Sequence, residues 1–269
     1  MTARLELPAD HPHVALVTID RRERANALDP STLRELAAAW RRIAGDPEIR
    51  CAVLTGAGER VFCSGMDLRT TIPASQQLAR GERIDAGDFA GLRDAATAVL
   101  AGFDLATPLV CAINGHCRAV GLDLMLASEL RYAVPEASFA LEEVARGLYP
   151  TGNATVLLAR EIGWVHAMDL MLTARPISAA RAAEIGLVNE VVPPAALMET
   201  VRKIAQSICQ KGPVAIAQAK RAIRLGADIS LVVASELERQ TFASLFATED
   251  LREGTHAFLE KRPAKFVGK

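Results

Sequence analysis

Ala112-Ile113-Asn114-Gly115-His116-Cys117-Arg118-Ala119-Val120-Gly121-Leu122-Asp123 runs from the end of an apolar segment into the start of a helical pattern. A strand that empties through small residues into a helix leaves backbone N–H groups without intrahelical acceptors, all aimed at one spot. Such a place can hold an oxyanion, and each donor facing the charge of an enolate-like transition state is worth about 3–4 kcal/mol. Asp123 brings a carboxylate to the same turn; by itself it reads equally as a residue that caps or solvates the helix.

Working outward, residues 108–113 read as a buried strand, and residues 122–128 as a helix with Leu122, Met125 and Leu126 facing inward. Residues 130–134 and 138–140 are short strands. Upstream, residues 14–19 and 51–55 are strand-like, the second closed by Gly56-Ala57-Gly58. Asp29-Pro30 opens a helix as N-cap and first-turn proline, with Leu33, Leu36, Ala37, Trp40 and Ile43 on one face. The polar segment 69–91 has few large apolar residues and reads as a mobile loop or short helix, followed by a helical pattern over 95–103. From Asn153 the composition turns helical, with helices expected over 154–162, 165–174, 178–185, 195–210, 214–225, 231–248 and 249–261. Strands alternating with helices predict an α/β fold with a sheet core over residues 1–200 and a helical region over 201–269. No GxGxxG follows the first strand, which speaks against a dinucleotide fold.

The chain has 269 residues, half of them apolar, and a net charge of −1 from 31 basic and 32 acidic side chains. That length suits a single α/β enzyme. The basic residues are scattered and leave no electrostatic footprint for nucleic acid. No apolar run approaches the ~20 residues that span a bilayer, and the N-terminus lacks the plan of a secretory signal, so a cytoplasmic location is expected. Five cysteines, Cys51, Cys63, Cys111, Cys117 and Cys209, occupy apolar settings without a CxxC pair and fit reduced thiols better than disulfides. His11-x-His13 has metal-like spacing on a strand but no third ligand nearby, so no metal is expected.

Two further segments can do chemistry. In Phe62-Cys63-Ser64-Gly65-Met66-Asp67-Leu68, Gly65 permits an unusual backbone angle and the N–H of Met66 can be left free. In Ala137-Ser138-Phe139-Ala140-Leu141-Glu142-Glu143-Val144-Ala145-Arg146-Gly147-Leu148-Tyr149-Pro150, a pair of acidic residues follows an apolar stretch. Taken alone, that pair is an ordinary solvated strand or helix end. His116 lies just before the oxyanion turn, where a packed, hydrogen-bonded imidazole and a pocket-lining one are both open. Arg118 and Arg146 each allow recognition of a phosphate or carboxylate, or an ion pair at the surface.

In this order the segments resemble the crotonase (enoyl-CoA hydratase/isomerase) superfamily. Arg24-Ala25-Asn26-Ala27-Leu28 is similar to its x-N-A-L signature and residues 62–68 to its F-x-A-G-x-D-[IL] segment. Residues 108–123 resemble P-x-[IV]-A-x-[IV]-x-G-x-x-x-G-G-G-x-E, and residues 137–150 resemble A-x-F-x-x-P-E-x-x-x-G-x-x-P. Later landmarks around 168–173, 178–188 and 253–262 keep the register to the C-terminus. The resemblance implies ββα turns wound into a spiral, followed by helices that cover the site and form a homotrimer or a dimer of trimers. It implies an acyl-CoA thioester as substrate, with coenzyme A entering as part of it and no separate cofactor.

The same resemblance places the oxyanion donors on the backbone N–H groups of Met66 and Val120 and the two hydratase carboxylates on Glu143 and Asp123. Neighbouring carboxylates push their proton affinities apart and can divide acid and base roles. Arg24, Ala25, Ser64, Asp67, Leu68 and Lys261 match substrate-binding positions, Arg24 and Lys261 near the CoA phosphates. The implied reaction is hydration of a 2-enoyl-CoA to a 3-hydroxyacyl-CoA. A Δ3,Δ2-enoyl-CoA isomerase, which needs one shuttling carboxylate, and a non-catalytic acyl-CoA binder are the alternatives. The chain departs from the pattern at three places: Ala119-Val120-Gly121 replaces a triple glycine, Asp123 replaces Glu, and Glu142-Glu143 replaces Pro-Glu.

Overall fold

The computed structural model describes residues 1–269. In chain order its elements are β1 (Ala3–Glu6), β2 (Val14–Ile19), α1 (Pro30–Ala44), β3 (Cys51–Gly56), β4 (Val61–Cys63), α2 (Thr71–Ala79), α3 (Ala86–Ala98), β5 (Leu109–Ile113) and β6 (His116–Arg118). There follow α4 (Val120–Leu126), β7 (Leu130–Ala133), β8 (Ser138–Ala140), α5 (Ala154–Ile162), α6 (Trp164–Thr173), β9 (Ile177–Ser178) and α7 (Ala179–Glu184). The last elements are β10 (Glu190–Val191), α8 (Pro194–Cys209), α9 (Pro213–Gly226), α10 (Leu231–Leu245) and α11 (Glu249–Leu259).

From β3 to β8 successive strands are dealt alternately to two sheets. The larger has the order β1-β2-β3-β5-β7-β10 and is parallel except for β1; the smaller, β4-β6-β8-β9, is parallel except for β9. The pairs β3–β4, β5–β6 and β7–β8 each give one strand to either sheet before the chain turns helical, which is the expected ββα spiral. Every residue of β3 and β5 is buried, as parallel strands covered on both faces must be, and this explains the apolar runs 51–54 and 109–113. Asp29 caps α1 by accepting the Thr32 N–H at 2.8 Å, and the predicted Leu33, Leu36, Trp40 and Ile43 face is fully buried.

Residues 69–91 depart from the loop or short helix expected of them. They form α2 and the first part of α3, which starts at a capping Asp85 rather than near Ala95. Gly91 lies so close to α1 that a Cβ there would run into the Pro30 backbone. Arg41–Asp94 at 2.7 Å and the Trp40 indole N–H on the Ala98 carbonyl at 2.9 Å complete the seam. The pair His11-x-His13 sits in the turn before β2, not on a strand; His11 meets Gln206 and His13 meets the Glu48 carbonyl.

Residue 200 falls inside α8, whose Leu197, Val201 and Ala205 are buried in the main core. The helices that stand off the core begin at α9: neither α9 nor α10 buries a single residue. Their attachment is polar, with Lys220 donating to the Thr107 carbonyl at 2.9 Å and pairing with Glu129 at 3.0 Å. No helix is long and apolar enough to cross a membrane.

Candidate active site

Three loops are drawn together by backbone contacts. Leu28 N–H donates to the Gly65 carbonyl at 2.8 Å and Asp67 N–H to the Leu28 carbonyl at 2.9 Å, so residues 65–67 run beside Leu28 as one rung of parallel sheet. That rung uses the groups flanking Met66 and leaves its own N–H without an acceptor. Gly65, at φ +100°, packs against the next loop: a Cβ there would lie 2.9 Å from Ala119 Cβ, and 3.8 Å from Val120 N. Val120 N–H, at the first residue of α4, likewise has no protein acceptor. Met66 and Val120 therefore each carry a backbone N–H without a protein acceptor.

Ala119 carries the cost of this turn. Its φ of 50° and ψ of −129° belong to glycine, and an L side chain held there is strained by about 1–3 kcal/mol. Gly121 next to it cannot be replaced cheaply, since a Cβ would lie 2.7 Å from the Cys63 carbonyl oxygen.

The donors open on a cavity of about 550 Å³. Ser64, Met66, Leu68, Val120 and Glu143, all expected at the site, line it. Its apolar wall comes from α2 and α3 through Ile72, Leu78, Leu92 and Ala95, with Leu148, Tyr149 and Arg146 also lining the cavity. The α2–α3 wall is not evident from sequence because Ile72, Leu78 and Leu92 face the cavity rather than the core and make no core-facing stripe.

Glu143 follows β8 at the head of a short 3₁₀ turn (Val144–Arg146) that Gly147, at φ +75°, terminates. Its carbonyl accepts the N–H groups of Arg146 and Leu148 at 2.9 and 3.0 Å, while both carboxylate oxygens are buried without any hydrogen-bond partner. Burial pushes this carboxyl up to about 7; the charges of Asp123 and Glu142 act in the same direction and Arg146 opposes them. A carboxyl poised near neutrality inside a cavity is suited to taking and returning a proton.

Asp123 is placed differently from the expectation of a cavity-lining partner. It is fully buried, and Oδ1 accepts the N–H groups of Asn153 and Ala154 at 2.7 and 2.6 Å, capping α5 from across the fold. Gly152 lies over its carboxylate, where a Cβ would stand 2.8 Å from Cγ, and the preceding Thr151 lines the cavity in its stead. Oδ2 has no partner, and burial raises this carboxyl above the usual range against the pull of the Asn153 and Ala154 N–H groups.

The remaining expected residues lie around the cavity rather than in it. Asp67 turns its carboxylate inward to Arg21 at 2.8 Å and the Arg69 N–H at 2.8 Å; although burial opposes ionisation, these partners hold it below the usual carboxylate range. Its part is to fix the Met66 loop. Arg24 is exposed and Ala25 half-buried on a turn where Ala25 and Asn26 have φ of 50° and 53°. Asn26 ties that turn to the Ala57 and Val61 carbonyls at 3.0 and 2.7 Å. Lys261 is exposed beyond α11 and does not line the cavity of its own chain. His116 bonds Ser138 Oγ at 2.8 Å outside the cavity, and Arg118 donates to Ser138 Oγ at 2.7 Å. All five cysteines are free and buried; burial pushes the Cys63 and Cys111 thiols up to about 12, which removes them as nucleophiles.

Residues 10–269 match the enoyl-CoA hydratase/isomerase family. The chain is 38% identical to (E)-benzylidenesuccinyl-CoA hydratase of Thauera aromatica, over 95% of this chain and 96% of that one. It is 36% identical to enoyl-CoA hydratase EchA19 of Mycobacterium tuberculosis, over 94% and 93%. A crystal structure of an enoyl-CoA hydratase from Bacillus anthracis superposes with a TM-score of 0.91 at 33% identity, covering 100% of both chains. With the spiral fold, the paired donors and this full-length similarity in hand, the chain belongs to the enoyl-CoA hydratase/isomerase family.

Proposed function

We propose that the protein hydrates a 2-enoyl-CoA to the 3-hydroxyacyl-CoA. The observation that carries this reading is Glu143: an unpartnered, buried carboxyl raised to about 7, in the wall of the same cavity as the free N–H groups of Met66 and Val120. The thioester oxygen accepts those two N–H groups. Glu143 takes a proton from water as the oxygen adds to C3, the charge collects on the thioester oxygen as an enolate, and the proton passes to C2. Asp123 is the second carboxylate of the pair; with Oδ1 committed to α5, its share is the charge on Oδ2, which strengthens the hold of Glu143 on its proton.

Similarity to hydratases over the whole chain supports this reading over the isomerase and the non-catalytic binder. Ser64 and Leu68, which line the cavity, border the acyl-thioester end, while Asp67 acts by holding their loop. Arg24 and Ala25 on their exposed turn, together with Lys261, serve the CoA phosphates. Exposed Phe242, Phe246 and Phe258 on the C-terminal helices, 60%, 67% and 83% accessible, support a homotrimer or dimer of trimers. Five unpaired thiols support a cytoplasmic location.

The test is turnover of crotonyl-CoA and longer 2-enoyl-CoAs, followed as loss of the conjugated thioester chromophore and set beside a 3-enoyl-CoA incubation. Hydration by the wild type and its loss in Glu143→Gln are expected. A folded protein that hydrates no chain length yet conjugates the 3-enoyl-CoA would replace hydratase by isomerase, and acyl-CoA binding without turnover would leave only the binder.

A further inference from the structure

We propose that Glu142, clamped between Arg118 and Arg146, is a positioning residue that aims Glu143 into the cavity. The inference rests on the reading of Glu143 as acid/base. Because the Glu143 carboxylate has no hydrogen bond to any other residue, no neighbouring side chain directs it; its aim is set by its own backbone, at φ −61° and ψ −42°, and by packing. Whatever holds that backbone therefore holds the base.

Glu142 is bound on both sides. Arg118 is anchored on β6 and β8, with Nη1 on the Cys117 carbonyl at 3.2 Å and Nη2 on Ser138 Oγ at 2.7 Å, and its Nε lies 3.5 Å from Glu142 Oε1. Arg146 reaches back across the 3₁₀ turn, with Nη1 on the Glu142 carbonyl at 2.9 Å and Nη2 on Oε2 at 3.1 Å. One arginine thus ties the residue before Glu143 to the smaller sheet, and the other closes the turn after it. A proline would have stiffened this position through φ alone; here a charged network performs that task. Arg146 also lines the cavity, so the residue that braces the turn borders the substrate space as well.

The clamp also sets the charge around Glu143. The charged groups facing Glu143 are Asp123 from α4, Glu142 and Arg146 from its own segment, and Arg118 from β6 through Glu142. His116, on the same strand as Arg118, faces Ser138 outside the cavity. Removing the anion or the cation of this network must move Glu143 in opposite directions, which simple loosening of the turn does not do.

The experiment compares wild type, Glu142→Gln, Glu142→Ala and Arg146→Met, each checked for folding by circular dichroism. Hydration rates are read against pH, and Glu143 itself is titrated by infrared difference spectroscopy as the carboxyl band that Glu143→Gln abolishes. Expected are a kcat lowered about 10- to 100-fold in Glu142→Ala with KM within about threefold, substantial rescue by Glu142→Gln, a lower titration midpoint in Glu142→Gln and a higher one in Arg146→Met. Wild-type kcat in Glu142→Ala, or midpoints that stay fixed or move together, overturns the proposal. Should Glu142→Ala fail to fold, the two milder variants still decide it. If the wild type hydrates no enoyl-CoA, the infrared midpoints still test the clamp, so the two readings fail separately.

Discussion

The start of α4 and the turn after β8 each deliver one buried carboxylate towards the same cavity, yet the two groups end in opposite circumstances. Asp123 spends one oxygen on two backbone N–H groups at the head of α5, beneath Gly152. Glu143 spends neither oxygen on anything and lies in the cavity wall. Both are raised by burial, so desolvation does not distinguish them. What distinguishes them is commitment: a carboxylate that satisfies a helix terminus is structural in its first duty, whereas one with no partner is available to a substrate. Two acidic residues near a pocket are thus not interchangeable halves of a dyad.

The sharpest way to break this comparison is Glu143→Gln, which keeps volume and removes the proton-exchanging group. Hydration of crotonyl-CoA is expected to fall about 10³-fold, with acyl-CoA affinity by calorimetry nearly unchanged. Asp123→Ala should reverse the balance and fail on stability instead. It strips the Asn153 and Ala154 N–H groups of their acceptor in a buried site, and a loss of about 2–4 kcal/mol in denaturant unfolding is expected. Asp123→Asn retains Oδ1 and should recover most of that stability. If Asp123→Ala were as stable as wild type, the capping role assigned to it would be wrong.

The same contrast separates what the amino-acid sequence makes legible from what it hides. The strands at 14–19, 51–56 and 109–113 are readable because burial on both faces makes them predominantly apolar, with Thr18 and Thr55 as the polar exceptions. β4 and β6 have three residues each, too few for a period, and are not read as strands from the sequence, whereas the equally short β8 is. The turns that free the N–H groups of Met66 and Val120 are legible locally, whereas the choice of Val120 as the donor of its turn comes from the family resemblance. The fate of Asp123 is hidden, because its partner Asn153 lies 30 residues away and nothing near Asp123 announces it. α2 and α3 escape for a related reason: Ile72 and Leu92 line a cavity and Gly91 answers a contact with Pro30, so local pattern is overruled by tertiary contact.

A pH experiment sharpens the difference between the two carboxylates with a smaller effect. The Glu143 carboxyl is raised to about 7 in the folded chain, above its ordinary unfolded value near 4.5. Between those values the folded state binds more protons than the unfolded state, so this group's contribution to stability is present below pH 4.5 and is lost as pH rises to about 7. Glu143→Gln cannot ionise. Its melting temperature should therefore exceed that of the wild type at pH 8 and converge with it towards pH 4.5, and a gap that widened on acidification would contradict the assignment.

The smallest expected effect tests the donor side of the cavity. Ala119 holds φ 50° and ψ −129° beside Gly65, a conformation in which its Cβ is a liability. Ala119→Gly removes that strain, worth about 1–3 kcal/mol, and gives back roughly 0.5–1 kcal/mol through greater freedom of the unfolded chain. The net gain is about 1 kcal/mol, or a melting temperature higher by roughly 2–4 °C. Because the N–H of Val120 keeps its direction while the cavity loses one methyl from its wall, hydration should persist, with any gain in kcat/KM confined to acyl chains substituted next to the thioester. A destabilised Ala119→Gly would mean that the methyl packs against Gly65 more favourably than the backbone resists it, and the turn would then have to be read as adapted to alanine rather than strained by it.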